Sequence, residues 1–117
     1  MLALYFGEPG ADRVSATLPG ALLSAVNYTE IIGKCLDARE DLGAVLRKLA
    51  AMGFSIVPHD MRLARRAGAL RSLTRRLGMS LGDRACLALA EQEQLPVWTA
   101  DQAWTSLGLD IDIRVIR

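Results

Sequence analysis

The sequence predicts an α/β fold in which a parallel sheet is flanked by helices. Short apolar segments of strand length alternate with longer segments whose apolar residues recur at helical spacing. This alternation favours parallel strands that are joined by helices and covered on both faces. The chain has 117 residues, of which 51% are hydrophobic. That size suits a single domain, residues 1–117, with its own core.

The first half of the chain predicts four helices and two strands. Ser24 is a candidate N-cap for the third helix, and Gly53 and Pro58 end the fourth helix and the second strand. In order, the predicted elements are a helix ending at Phe6, a helix Ala11–Thr17, a strand Ala21–Ser24, a helix Ala25–Leu36, a helix over Leu42–Leu49 and a strand Phe54–Val57.

The second half predicts an arginine-rich helix closed by Gly78, followed by two more helices and two strands. The inner, apolar stripe of the arginine-rich helix is formed by Leu63, Ala67, Leu70, Thr74 and Leu77. After it come a helix from Ser80 to about Gln92, a strand Val97–Thr99, a short helix Asp101–Leu107 and a strand Ile111–Ile116. Right-handed crossovers would bring the carboxyl ends of the strands to one edge, where such folds bind ligands.

Composition and cysteine content exclude several classes of protein. The hydrophobic content excludes a disordered chain, and the longest apolar runs are far shorter than the ~20 residues that cross a bilayer. Cys35 and Cys86 are expected to be buried free thiols in a reducing compartment, because both lie in helical apolar patterns. The single histidine, His59, excludes a histidine-rich zinc site. We therefore expect a cytoplasmic protein without a membrane partner.

The near-neutral net charge of +1 hides an asymmetry. Residues 61–82 contain six arginines and no acidic residue, so the rest of the chain carries a charge of −5. These arginines are candidates to bind phosphate groups or an acidic partner peptide, or they form a solvated face whose stems cover apolar surface. With Arg84, the candidate set is Arg62, Arg65, Arg66, Arg71, Arg75, Arg76 and Arg84.

Three acidic residues are predicted near the ligand-binding edge of the sheet. Glu30 ends a polar ladder with Ser24 and Asn27 at spacings of three, Asp83 follows Ser80 at the start of a helix, and Asp101 directly follows a strand. Each also has a structural explanation. Glu30 can pair with Lys34 on the next turn, and Asp83 and Asp101 can cap their helices.

Taken together, these carboxylates suit a hard cation. Oxygen ligands without histidine or cysteine favour Mg²⁺ or Mn²⁺. Such a cation beside an arginine-rich surface is suited to phosphodiester hydrolysis, in which it stabilises charge on the phosphate and generates hydroxide from water. Glu30, Asp83 and Asp101 are thus the candidate catalytic and metal-binding residues.

The same residues carry a resemblance to the PIN-domain family, and in particular to the ribonuclease toxins of bacterial VapBC-type toxin–antitoxin pairs. The matching segments are Ser24-Ala-Val-Asn27-x-x-Glu30, Leu81-Gly82-Asp83-Arg84-Ala-Cys-Leu-Ala-Leu-Ala90, Leu95-Pro-Val-Trp-Thr99-Ala-Asp101 and Asp110-Ile-Asp-Ile-Arg-Val-Ile116. The resemblance implies a three-layer fold and a Mg²⁺- or Mn²⁺-dependent endoribonuclease that acts on tRNA or rRNA. It also implies an antitoxin partner, and we expect a homodimer.

By this resemblance, Glu30, Asp83 and Asp101 match the second, third and fourth acidic positions of the family, and Thr99 matches the hydroxyl residue near the last acid. Ser24 and Asn27 are supporting polar residues. The family begins with a central strand that carries an Asp, and this strand is missing from the chain as given. Either the start codon is misplaced, or the truncation is natural and the sheet has rearranged or another chain fills the gap.

The missing carboxylate lowers the negative charge available to a cation. We therefore expect weak or no activity from the 117-residue form. The alternative function is a catalytically dead PIN-like module that binds an antitoxin or self-associates, through its arginines and apolar grooves beside Trp98 and Trp104.

Overall fold

The computed structural model describes residues 20–115. The chain divides between Val57 and Pro58 into two units, and its being a single domain stays a prediction. The predicted helices Met1–Phe6 and Ala11–Thr17, and the last residue of the final predicted strand, Ile116, lie outside the described residues.

The first unit contains two parallel strands and two helices. Its elements are β1 (Leu22–Ser24), α1 (Ala25–Asp37), α2 (Leu42–Ala51) and β2 (Ser55–Val57). β1 pairs with β2 so that Leu23 lies opposite Ile56. Both helices begin at side-chain caps, because the Ser24 hydroxyl accepts from the Val26 amide at 3.2 Å and the Asp41 carboxylate accepts from the Ala44 amide at 3.0 Å.

The core of the first unit joins β1 to the inner faces of α1 and α2. Its buried members are Leu23, Ile31, Cys35, Val45 and Leu49. The spacing of four residues within each helix places these side chains on one face, as the amphipathic pattern predicts. The prediction that Cys35 is a buried free thiol is confirmed.

Among its described residues, the second unit contains three α-helices, two separate 3₁₀ segments and two parallel strands. They are α3 (Met61–Ala69), α4 (Arg71–Thr74), a 3₁₀ turn Arg75–Leu77, α5 (Leu81–Glu93), β3 (Val97–Thr99), a 3₁₀ helix Gln102–Ser106 and β4 (Ile113–Val115). α3 packs closely against α5, and β3 packs on α5 and pairs with β4. The predicted short helix at 101–107 is therefore a 3₁₀ helix that Asp101 caps.

The arginine-rich segment is not the single helix that the sequence predicts. It breaks at Leu70 into α3 and α4 and then tightens into the 3₁₀ turn. Four of the five residues of the predicted inner stripe are nevertheless buried, and Leu77 is half-buried. Thr74 satisfies its hydroxyl by donating to the Leu70 carbonyl at 2.9 Å. Gly78 ends the segment with φ +64°, a left-handed conformation that glycine adopts without strain.

The predicted α/β class, with parallel strands flanked by helices, is confirmed. Within residues 20–115 the strands form two separate pairs, β1–β2 and β3–β4. No helix in these residues is long and apolar enough to cross a membrane.

Candidate metal centre

Asp83 lies in the first turn of α5 and forms a reciprocal cap with Ser80. The Asp83 amide donates to the Ser80 hydroxyl at 3.1 Å, and the Ser80 amide donates to Asp83 Oδ2 at 3.0 Å. This capping box satisfies two amides that the helix itself leaves without partners. The expectation that Asp83 caps its helix is confirmed, and Asp83 Oδ1 takes no hydrogen bond from the described residues.

Asp101 follows β3 and is held in place by hydrogen bonds on both sides. Its amide donates to the Thr99 hydroxyl at 3.1 Å, and its Oδ1 accepts from the Ala103 amide at 2.9 Å. Thr99 is buried at the end of β3, whereas Asp101 is exposed. The strand end thus fixes the backbone of Asp101 and leaves Oδ2 of the carboxylate open to solvent.

Glu30 belongs to the first unit, on the exposed face of α1. Its Oε1 accepts from the Asn27 amide group at 3.3 Å, which confirms that these two residues share a helical stripe. Ser24 is buried and caps the same helix. The alternative in which Glu30 pairs with Lys34 is not observed, since that pair is absent from the ion pairs of residues 20–115.

The three acids therefore share one arrangement. Each uses one carboxylate oxygen in a local hydrogen bond and leaves the other without a partner in the described residues. Oxygen atoms with free lone pairs are the donors that Mg²⁺ and Mn²⁺ prefer, so the chemistry of the donor set fits a hard cation. Among residues 20–115, no three His, Cys, Asp or Glu side chains cluster closely enough to hold a metal on their own.

A side-chain hydrogen bond links the 3₁₀ turn that precedes α5 to the 3₁₀ helix that follows β3. Arg76, in the 3₁₀ turn before Ser80, donates from Nη2 to the Ser106 carbonyl at 2.7 Å. Ser106 ends the 3₁₀ helix that Asp101 caps.

The candidate arginines fall into two groups. Arg66 forms two hydrogen bonds with the Glu91 carboxylate, at 2.6 and 2.9 Å, and Arg84 donates to the Ala67 carbonyl at 3.0 Å. Together with Arg76, these side chains hold the second unit together. Four exposed arginines have no hydrogen bond or ion pair among the described residues, namely Arg62, Arg65, Arg71 and Arg75.

The contact partners Glu91 and Ser106 were not predicted from the sequence. Glu91 lies 25 residues from Arg66, and Ser106 lies 30 residues from Arg76, so no local spacing connects them. Arg114 is a further example, because it contacts the Trp98 ring at 5.6 Å from the opposite strand. Only the packing of the folded elements reveals these pairs.

The two tryptophans, the single histidine and the second cysteine also lie in the second unit. Trp104 is buried in the second unit, and Trp98 is half-buried. His59 directly precedes Asp60, whose carboxylate caps α3 by accepting from the Leu63 amide at 3.0 Å. Cys86 is a free thiol, but it is partly exposed rather than fully buried.

Comparison with known proteins identifies the family. The PIN domain family matches residues 1–108 of the chain. The chain belongs to the PIN domain family. The resemblance seen in the sequence is thereby confirmed at the level of the family, and PIN domains are generally metal-dependent nucleases.

This PIN domain is also similar to a solved structure described as a toxin–antitoxin complex from Klebsiella pneumoniae. The two chains are 20% identical with a TM-score of 0.74, and the match covers 99% of this chain and 91% of that chain. At this identity the likeness concerns the fold. No curated protein matches the sequence.

Proposed function

We propose that this PIN domain is a metal-dependent endoribonuclease of the toxin–antitoxin type, which hydrolyses phosphodiester bonds in tRNA or rRNA. The observation that carries the proposal is a local feature that the carboxylates of Glu30, Asp83 and Asp101 have in common. Each carboxylate is fixed through one oxygen and keeps the other oxygen available. Local hydrogen bonds that pre-orient a ligand are what a metal centre requires from its surroundings.

In this proposal the family resemblance assigns Asp83, Asp101 and Glu30 as the ligands of Mg²⁺ or Mn²⁺. The bound cation supplies charge stabilisation at the phosphate and lowers the pKa of water. Ser80 and Thr99 orient the two aspartates through the hydrogen bonds described above, and Ser24 and Asn27 do the same for the helix that carries Glu30. The weak activity expected of the 117-residue form stays a prediction.

The unpaired arginines supply the RNA-binding surface. Arg62, Arg65, Arg71 and Arg75 are exposed and have no acidic partner in the described residues, so their charge is available to phosphate groups. Arg66, Arg76 and Arg84 already make contacts within the second unit, and we assign them a supporting role.

A cognate antitoxin and a homodimer complete the proposal. The similarity to a chain in a toxin–antitoxin complex supports the antitoxin. We expect the protein to co-purify with the product of the adjacent gene. We also expect RNA cleavage to be lost in that complex. Light scattering of the isolated protein tests the homodimer.

The central experiment measures cleavage of bulk tRNA and rRNA with Mn²⁺, with and without EDTA. We expect cleavage by this chain to be weak and EDTA to abolish it, and we expect Asp83→Asn and Asp101→Asn each to lower it to the level of the EDTA-treated protein. The matched control is Asp60→Asn, which alters another capping aspartate of the second unit, at the start of α3. Equal loss in all three variants would contradict the proposal, because it would indicate a general effect on folding.

One observation favours the alternative of a catalytically inactive interaction module. Among the described residues no cluster of three metal-ligating side chains is present. Thermal unfolding separates the two functions, because a cation that binds only the folded state must raise Tm. A Tm that does not change with millimolar Mn²⁺ favours the inactive module.

A further inference from the structure

We propose that Arg76 is a positioning residue that sets the separation of Asp83 and Asp101. Its guanidinium, hydrogen-bonded to the Ser106 carbonyl at 2.7 Å, holds the segment that carries one aspartate against the segment that carries the other. The inference rests on the proposed metal centre and adds to it a residue that touches neither the cation nor the RNA.

On one side, Arg76 is joined to Asp83 by a short and well-anchored stretch of chain. The 3₁₀ turn Arg75–Leu77 closes when the Gly78 amide donates to the Arg75 carbonyl at 3.0 Å. Met79 is buried, and Ser80 then forms the capping box with Asp83. A displacement of Arg76 is therefore transmitted to the first turn of α5.

On the other side, Ser106 is joined to Asp101 through the short 3₁₀ helix Gln102–Ser106. Asp101 caps the start of that helix through the Ala103 amide, and the buried Trp104 anchors its middle. The carbonyl of Ser106 lies at the end of the helix, where carbonyl groups lack partners within the helix. The Arg76 guanidinium provides such a partner, as basic side chains do at helix ends.

The neighbouring Arg75 provides a matched comparison. It lies in the same 3₁₀ turn, is equally exposed and carries the same charge, but it makes no hydrogen bond or ion pair with the described residues. Arg75→Gln and Arg76→Gln therefore remove the same charge from adjacent positions. Only Arg76→Gln removes the link to Ser106.

The first measurement is the affinity for Mn²⁺, obtained from the rise in Tm on titration and from the Mn²⁺ paramagnetic resonance signal. We expect Arg76→Gln to raise the apparent Kd for Mn²⁺ by about tenfold, the lower end of the range for groups that orient ligands. Arg75→Gln should leave it within about twofold, because Arg75 has no hydrogen bond to the 3₁₀ helix that Asp101 caps and the charge of an exposed side chain is screened at ordinary salt. Arg76→Lys, whose ammonium group can also donate to a carbonyl, should recover part of the loss.

The second measurement requires no metal. Hydrogen exchange of the Ala103 amide, which donates to Asp101, should accelerate in Arg76→Gln and remain unchanged in Arg75→Gln.

Equal exchange rates and equal Mn²⁺ affinities in the two variants overturn the inference. If Asp101→Asn leaves Mn²⁺ affinity unchanged, the proposed metal centre fails. If Asp101→Asn weakens binding and Arg76→Gln does not, only the positioning role of Arg76 fails.

Discussion

Arg66 and Glu91 form a two-pronged ion pair that ties α3 to α5. Nε and Nη2 of the guanidinium donate to the two carboxylate oxygens at 2.6 and 2.9 Å. The hydrogen bond to Glu91 raises the pKa of Arg66 above its ordinary value, so the guanidinium keeps its charge throughout the physiological range. Arg66 therefore holds two helices together, and its charge is not available to the basic surface.

The first prediction concerns the strength of this pair. The side chains are 42% and 34% exposed, so a double-mutant cycle with Arg66→Ala and Glu91→Ala should give a coupling energy of only about 0.5–1 kcal/mol. The coupling should shrink at about 1 M salt because the pair is partly open to solvent. The pair Asp112–Arg114, at 60% and 49% exposure, should show a smaller coupling in the same urea unfolding measurement. A larger value for that pair would contradict the argument.

The second prediction separates capping from metal binding in α5. Ser80→Ala should lower the free energy of unfolding by about 1 kcal/mol, because it removes the acceptor for the Asp83 amide. Asp83→Asn keeps an oxygen that can accept from the Ser80 amide, so its stability without metal should lie closer to that of the unaltered protein, while its response to Mn²⁺ is lost. Asp41→Ala, which removes the cap of α2, is the control and should reduce stability without the specific loss of Mn²⁺ binding.

The third prediction concerns the hydroxyl of Thr99. Thr99→Val preserves the shape of the side chain and removes the acceptor for the Asp101 amide, at a cost of about 1 kcal/mol. Under the proposed function it also weakens Mn²⁺ binding, because Asp101 loses a contact that orients it. Thr99→Ser keeps the hydroxyl and should keep the affinity. Similar Mn²⁺ titrations for the valine and serine variants would exclude the hydroxyl as the cause.

The fourth prediction tests the exposed arginines as an RNA surface. For single-stranded RNA, each phosphate contact that is lost should reduce the slope of log K against log salt by about 0.7. Arg62→Gln combined with Arg65→Gln should therefore lower the slope by about 1.4 in fluorescence anisotropy titrations. Arg47→Gln changes the same type of charge on α2 in the first unit, and a similar reduction there would show that the effect is one of net charge.

The fifth prediction concerns the pH dependence of Cys86. The residue keeps part of its surface exposed, but desolvation of the thiol raises its pKa from 9.0 to about 11. At pH 8 the thiolate fraction should therefore be about 100-fold below that of a free thiol, so maleimide labelling of the folded protein should be slow. Peptide mapping by mass spectrometry distinguishes Cys86 from Cys35. Rapid labelling of Cys86 at pH 8 would contradict this environment.

The same shift has a consequence for stability. A thiol whose pKa is higher in the folded state favours folding while it is protonated. That contribution is complete below pH 9.0, and it is lost as the pH rises toward about 11. Cys86→Ala should remove this part of the alkaline loss of stability, measured by urea unfolding at pH 8 and pH 10.5.

Much of the local structure could be predicted because it depends on neighbouring residues. The cap at Ser80, the left-handed ending at Gly78 and the strand Val97–Thr99 all lie where the sequence predicts them. Each results from hydrogen bonds or backbone preferences within a few residues. The break of the arginine-rich helix at Leu70 was not predicted, since its apolar stripe continues through the break.

The sequence by itself determined the α/β class, the helix caps at Ser24, Ser80 and Asp101, and the family to which the chain belongs. The tertiary structure alone decided which charged side chains are available. Arg66 and Arg76 look like Arg62 and Arg75 in the sequence, but they meet Glu91 and Ser106, which lie 25 and 30 residues further along the chain. A contact over that distance depends on how the folded helices pack, and the spacing of residues along the sequence does not determine that packing.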